Sequence, residues 1–196
     1  MVTESQIRIY GDPILRKEAQ RVEELDATVQ ELIETMVAAM RENRGVGLAA
    51  PQVGSLSRVI VARAEGEDDS EIFRLINPRL LAGEGSQEGM EGCLSLPSLR
   101  GEVLRANIVV VEGLTPAGDE VTIEAEGLLA RVLQHEIDHL DGVLFVDHAT
   151  SDSLYWLIPD PDAEDGYRRE ETAMEEAERQ FARLRRKRQG EGGSRQ

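Results

Sequence analysis

From Leu25 onward the apolar residues fall at Val29, Leu32, Ile33, Met36, Val37 and Met40, three or four positions apart. That spacing draws one apolar stripe along a helix and predicts an amphipathic helix packed on a core. The pattern breaks at Gly45-Val-Gly-Leu-Ala-Ala-Pro-Gln52, where two glycines and a proline stop regular helix, so this stretch reads as a loop. Arg58–Ala62 and Ile72–Ile76 are short β-branched runs on either side of the acidic turn Glu65–Ser70, which predicts a hairpin. Asn107–Val111 and Glu120–Glu124 flank the turn-forming Thr115-Pro-Ala-Gly-Asp119 and predict a second one.

Helical spacing returns at Gly127 and runs through Leu128–Leu140, with Gly142 placed to close the helix. Helices mixed with antiparallel hairpins, without repeated βαβ units, predict an α+β fold. In it, antiparallel strands pack around the 128–140 helix, with the amphipathic helix N-terminal and a further helix C-terminal. The character changes after Asp147. Residues 1–150 are expected to form the main domain, residues 151–166, with Pro159, Pro161 and several acids, a linker or insertion, and residues 167–196 a charged helix and tail. Glutamates crowd the start of that last segment and Arg183, Arg185, Arg186, Lys187 and Arg188 its end, as a helix dipole favours. Tyr155-Trp-Leu-Ile158 reads as a small apolar anchor packing on the domain, with an exposed patch for a partner as the competing role.

Length and composition narrow the class. A chain of 196 residues suits one domain plus a tail. With 40% hydrophobic and 31% charged residues, wholesale disorder and membrane spanning are disfavoured. No run of about 18 apolar residues occurs, and Met1-Val-Thr-Glu-Ser-Gln6 lacks the features of a signal peptide, so a cytoplasmic protein without membrane partners is expected. A net charge of −16 argues against DNA binding. Cys93 is the one cysteine, which excludes an intramolecular disulfide.

The chemistry concentrates in His135-Glu136-Ile137-Asp138-His139, an HExxH motif that holds two of the three histidines in the chain. Four residues apart on a helix, both imidazoles lie on one face and can reach one metal ion. Glu136 lies about 100° around the axis, at the edge of that face, where it suits a general base rather than a ligand. A catalytic metal commonly takes three protein ligands and keeps one open position. Cys93, in Glu91-Gly-Cys-Leu-Ser95, is a candidate third ligand, and a thiolate with two imidazoles suits Zn(II) or Fe(II) equally. Water activated there would attack a polarised carbonyl, which makes amide hydrolysis the reaction class. Gln52 or the backbone N–H of Leu94 would stabilise the oxyanion, provided their loops converge.

Gly45–Gln52, Glu91–Ser95 and Gln134–Leu140 resemble, in order, the three signature motifs of peptide deformylases, and Ile7–Arg16 resembles that family's opening. The similarity spans about residues 5–148. It implies a catalytic domain in which Cys93, His135 and His139 bind the metal, Glu136 shuttles the proton, and Gln52 with the Leu94 amide holds the oxyanion. It implies one Fe(II) per chain, replaceable by Zn, Ni or Co, and removal of the formyl group from nascent N-formylmethionyl peptides with release of formate. Val46, Gly47 and Gly92 match positions where family members bind the peptide as an added strand. Leu128 and Val132, on the metal-facing side of the helix, are candidates for the methionine pocket, with core packing as the competing role. Arg100 resembles an arginine kept near the substrate. By the same resemblance the basic end, Arg183–Arg188, is a candidate contact for the ribosome, and a monomer is expected. The chain departs from the family after His148, where residues 151–166 intervene before the last helix.

Two other readings remain at this level. HExxH also occurs in zinc peptidases that lack a cysteine ligand. A peptide-binding module that has lost turnover would keep the same pocket, although every ligand and Glu136 is present here.

Overall fold

Asp26 starts the first helix by accepting the Val29 N–H at 3.0 Å on its side chain, and Asn43 ends it by donating its side-chain amide to the Ala39 carbonyl at 2.8 Å. Both satisfy backbone groups that a helix end leaves without intrahelical partners. The computed structural model describes residues 7–63, 72–150 and 152–192. In chain order the elements are α1 (Ala27–Glu42), β1 (Gly47–Ala49), β2 (Val59–Arg63), β3 (Ile72–Glu84), β4 (Gln87–Cys93), β5 (Leu96–Arg105), β6 (Ile108–Leu114), β7 (Glu120–Glu126), α2 (Gly127–Leu140), β8 (Tyr155–Pro159), β9 (Tyr167–Glu171) and α3 (Met174–Gly192). The fold is α+β with antiparallel sheets, as the periodicity predicts.

The described residues form two compact units, one from Ile7–Arg8, Pro13–Gln87 and Arg105–Leu144, the other from Ile9–Asp12, Glu88–Leu104 and the described residues after Leu144. The first unit is built on a sheet of order β1-β2-β3-β6-β7. Its apolar face presents Ile60, Ala62, Leu75, Val109, Val111 and Ala125 to Ala130, Leu133, Ile137 and Leu140 of α2. Burying a leucine as fully as Leu133 contributes about 1.5–3 kcal/mol. The stripe predicted on α1 is also the face it buries, with Val29, Ile33, Met36, Val37 and Met40 inside.

Polar contacts fix the rotation of α2. The Gln134 side chain accepts from the Ala106 N–H at 3.1 Å and donates to the Ala106 carbonyl at 3.0 Å. Arg131 donates to the Gln87 carbonyl at 2.9 Å, and Arg105 forms an ion pair with Asp138. A helix tied at Arg131, Gln134 and Asp138 presents the same residues to the same neighbours.

The second unit carries the sheet β4-β5-β8-β9 with α3. Leu99 pairs with Trp156 between β5 and β8, and β8 pairs with β9 from Tyr155↔Glu171 to Pro159↔Tyr167. Phe181 of α3, 2% exposed, packs its ring 5.4 Å from Trp156 and 5.6 Å from Tyr10, and Ala177 is fully buried. Trp156 thus packs as an apolar anchor within this unit, with its ring against the C-terminal helix.

Several expectations need correction. The stretch 45–52 is not wholly a loop: Gly47–Ala49 pairs with Ile60–Ala62 as β1, and Ala50–Val53 forms a 3-10 turn. Strand pairing of a short apolar run outweighs its glycines. The strand starting at Ile72 continues to Glu84, through register shifts beside Asn77 and Leu80. Residues 151–166 are not simply a linker, because Tyr155–Pro159 is a strand, and 167–171 is its partner rather than helix. The helix therefore begins at Met174, with Glu175 and Glu176 in its first turn, but its last turn carries no basic residue. The acidic turn at 65–70 and Ser151 lie outside the described residues, although β2 and β3 pair as the hairpin expectation requires. In place of one domain with a peripheral tail, the C-terminal strands and helix share a unit with β4 and most of β5.

Candidate metal centre

α2 enters the core with His135 8% exposed, Glu136 4% and His139 1%. Ionisable side chains this buried are rare unless paired or held to a ligand. The two imidazole rings are neighbours on the helix face, 5.0 Å apart between centroids and nearly perpendicular at 76°. Asp138, between them in sequence, points to a different side of the helix and pairs with Arg105. That pair and the Gln134–Ala106 clamp hold the turn from which both imidazoles project.

Cys93 is the last residue of β4, before the two-residue turn Leu94-Ser95 that leads to β5. It is 8% exposed, and the Ser95 N–H points at its sulfur at 3.4 Å. A backbone N–H so placed is a favourable neighbour for a ligating thiolate. Among the described residues, the sulfur of Cys93 and the ring nitrogens of His135 and His139 lie within 4.8 Å of one another. Since metal–donor bonds run about 2.0–2.3 Å, one divalent first-row ion can span them with small side-chain adjustments. The donor set fits a soft or borderline metal such as zinc or iron rather than calcium or magnesium.

Gly47 lies directly against Glu136. A Cβ on Gly47 would stand 2.8 Å from Glu136 Cγ and nearer still to its carboxylate, so only glycine leaves the acid room. Gln52 is 2% exposed and accepts the Ala49 N–H on its side-chain oxygen at 2.8 Å, which fixes the end of the amide that serves as donor. β1 ends its sheet, so one edge of Val46–Ala49 faces no other strand of that sheet, and the Val46 carbonyl accepts from Arg63 on the other side. Val46 and Leu128 are exposed, at 40% and 38%. Val132 belongs to the core cluster.

In the second unit Gly92 and Arg100 are brought together. A Cβ on Gly92 would stand 2.7 Å from Arg100 Nε, and the guanidinium also donates to the Leu99 carbonyl at 2.8 Å. Leu94 follows Cys93 directly and is half-buried. Sequence reasoning missed the exclusion between Gly47 and Glu136 and the Arg105–Asp138 pair. Asp138 inside the HExxH motif is a signal for the second, since an acid on the off-metal face of a buried helix needs a partner.

Residues 4–154 match the family model described as polypeptide deformylase. A peptide deformylase of Natranaerobius thermophilus is 50% identical over 144 residues, 73% of this chain and 90% of that protein. One of Thermomicrobium roseum is 46% identical over 160 residues, 79% and 90%. The crystal structure of a peptide deformylase from Legionella pneumophila superposes with a TM-score of 0.71 at 44% identity, covering 74% of this chain and 85% of that one. A Synechococcus elongatus peptide deformylase crystallised in complex with actinonin has the same TM-score at 40% identity, covering 74% and 79%.

Proposed function

Because the chain belongs to the polypeptide deformylase family, hydrolases that remove the N-formyl group from the N-terminal methionine of nascent peptides, we propose that Cys93, His135 and His139 hold its metal and that Glu136 moves the proton. The observation that carries this assignment is the cluster of one thiol and two imidazoles within 4.8 Å, with the buried Glu136 on the same helix. When bound, a divalent metal supplies Lewis-acid polarisation and makes a water more acidic.

Glu136 takes a proton from the attacking water as oxygen bonds to the formyl carbon. It then delivers that proton to the methionine nitrogen as the carbon–nitrogen bond breaks, so that a free amine and formic acid leave, the acid giving its proton to solvent to become formate. The side-chain amide of Gln52 and the backbone N–H of Leu94 donate to the oxygen that becomes negative. Burial of Gln52 and its bond to Ala49 support this, because a donor held before reaction needs no reorganisation during it. Fe(II) is the proposed native ion, one per chain, with Zn, Ni or Co as substitutes. The donor set alone suits several of these.

The peptide runs along Val46 and Gly47 as an added strand, with Gly92 and Arg100 beside it and Leu128 and Val132 contributing to the methionine pocket. The open edge of β1 supports this mode, in which main-chain hydrogen bonds give affinity tolerant of sequence. On α3, Arg183, Arg186 and Lys187 contact ribosomal RNA. Arg183, Arg186 and Lys187 are exposed, whereas Arg185 is engaged with Gly11. No helix among the described residues is long and apolar enough to cross a membrane, and the protein is proposed to act in the cytoplasm as a monomer.

The test is formate release from N-formyl-Met-Ala-Ser by protein prepared without air, with metal counted on the same sample. N-acetyl-Met-Ala-Ser is the control. Formyl-selective turnover with about one iron per chain supports the assignment, whereas metal without turnover on the formyl peptide refutes it.

A further inference from the structure

Ile9–Asp12 makes a tight turn in which the Asp12 N–H donates to the Ile9 carbonyl at 2.9 Å. Gly11, at φ +88°, supplies the left-handed third position that a type II turn requires. One side of this turn faces the residues after Cys93: the Tyr10 N–H donates to the Ser95 carbonyl at 2.8 Å. Ser95 is fully buried, and its own N–H is the one aimed at the Cys93 sulfur. The other side is gripped by α3. The Tyr10 hydroxyl donates to Glu178 at 3.0 Å, the Tyr10 ring lies against Phe181, and an Arg185 guanidinium N–H donates to the Gly11 carbonyl. Any Cβ on Gly11 would stand 2.6 Å from Arg185 Cζ, so the guanidinium occupies the space glycine leaves open.

We propose that Tyr10 and Arg185 are positioning residues for Cys93, through which α3 holds the sulfur-bearing turn between β4 and β5. The proposal rests on the reading of Cys93 as a metal ligand. Every residue in the relay belongs to the second unit. Its lever is short, because Ser95 carries both the carbonyl that Tyr10 holds and the N–H that faces the sulfur. Displacing Tyr10 therefore tilts the donor at the ligand itself. Neighbours that orient a ligand without touching the metal commonly change metal affinity by about 10–100-fold when removed. α3 lies beyond residues 4–154, the part that matches the family, so this support comes from the chain's own C-terminal segment.

The experiment uses the full chain with Arg185→Met, Arg185→Lys and Tyr10→Phe, and Arg179→Ala as control, whose exposed guanidinium pairs only locally with Glu176. Two rates are read: metal release to a chelator, and alkylation of Cys93 by iodoacetamide after metal removal. Cys93 is the sole thiol, so the second signal belongs to one residue. Arg185→Met is expected to speed both by about tenfold and Tyr10→Phe by about threefold, with Arg185→Lys recovering part of the loss and Arg179→Ala unchanged.

Wild-type rates in Arg185→Met and Tyr10→Phe would overturn the proposal. So would acceleration no greater than in a Trp156→Phe chain of equal thermal midpoint, because the effect would then be general loosening. If the wild-type chain binds no metal, yet its thiol is protected and Arg185→Met exposes it, the positioning of Cys93 stands while the metal assignment fails.

Discussion

Gly47 and Glu136 exclude one another's growth: the space a methyl group would take on Gly47 is filled by the Glu136 side chain. A motif glycine on β1 is thereby tied to a motif glutamate on α2, two elements of the same unit. Gly47→Ala is expected to swing Glu136 aside and lower kcat by about 100-fold or more, the lower range for loss of a general acid/base, with metal content unchanged. Steady-state kinetics with metal counted on the same preparation would check it, and an alanine chain within twofold of wild type would separate Gly47 from the acid's position.

Glu136→Gln keeps the shape of the side chain and removes its ability to take up a proton. A fall in kcat of about 10²–10⁴-fold with metal retained is expected. An unchanged kcat would instead point to a module that binds peptides by the same residues without turning them over.

Cys93→Ala removes a donor from the cluster with the two histidines. Metal per chain, counted after dialysis against a weak chelator, is expected to fall well below that of the wild type, and activity with it. A fully metallated and active Cys93→Ala chain would place the protein among hydrolases whose HExxH site needs no cysteine.

Phe181→Ala empties a position in contact with Trp156 and Tyr10. Such a truncation in a closed core costs about 3–5 kcal/mol. Amide hydrogen exchange is expected to show loss of protection in β8, β9 and α3, while β2 and β6 of the other unit keep theirs. Uniform protection in both units would mean that Phe181 contributes little.

The helix bearing the site was legible because its information is local: apolar spacing from Leu128 to Leu140 and two histidines four residues apart. Cys93 was legible only by residue type and resemblance. It sits at the end of Gln87-Glu-Gly-Met-Glu-Gly-Cys93, a segment whose acids and glycines give no strand alternation and which becomes β4 by pairing with β5. Tyr167-Arg-Arg-Glu-Glu171 misled for the same reason. Its glutamates suit the first turn of a helix, but Tyr155–Pro159 lies within reach, and cross-strand bonding outweighs local preference. The sequence motif places Gly47 at the substrate edge. That Glu136 also requires it could be known only once β1 and α2 lay side by side.

β9 closes its sheet with five exposed residues, four of them Arg or Glu. A sheet margin of this kind presents its free N–H and C=O groups behind a screen of hydrated charge, some of it internally matched, as between Arg168 and Glu170. Another copy of the chain gains little by stacking there, since each added strand would have to shed that hydration. The hairpin that carries the sheet toward α3 thus ends it in a margin that disfavours the addition of a further strand.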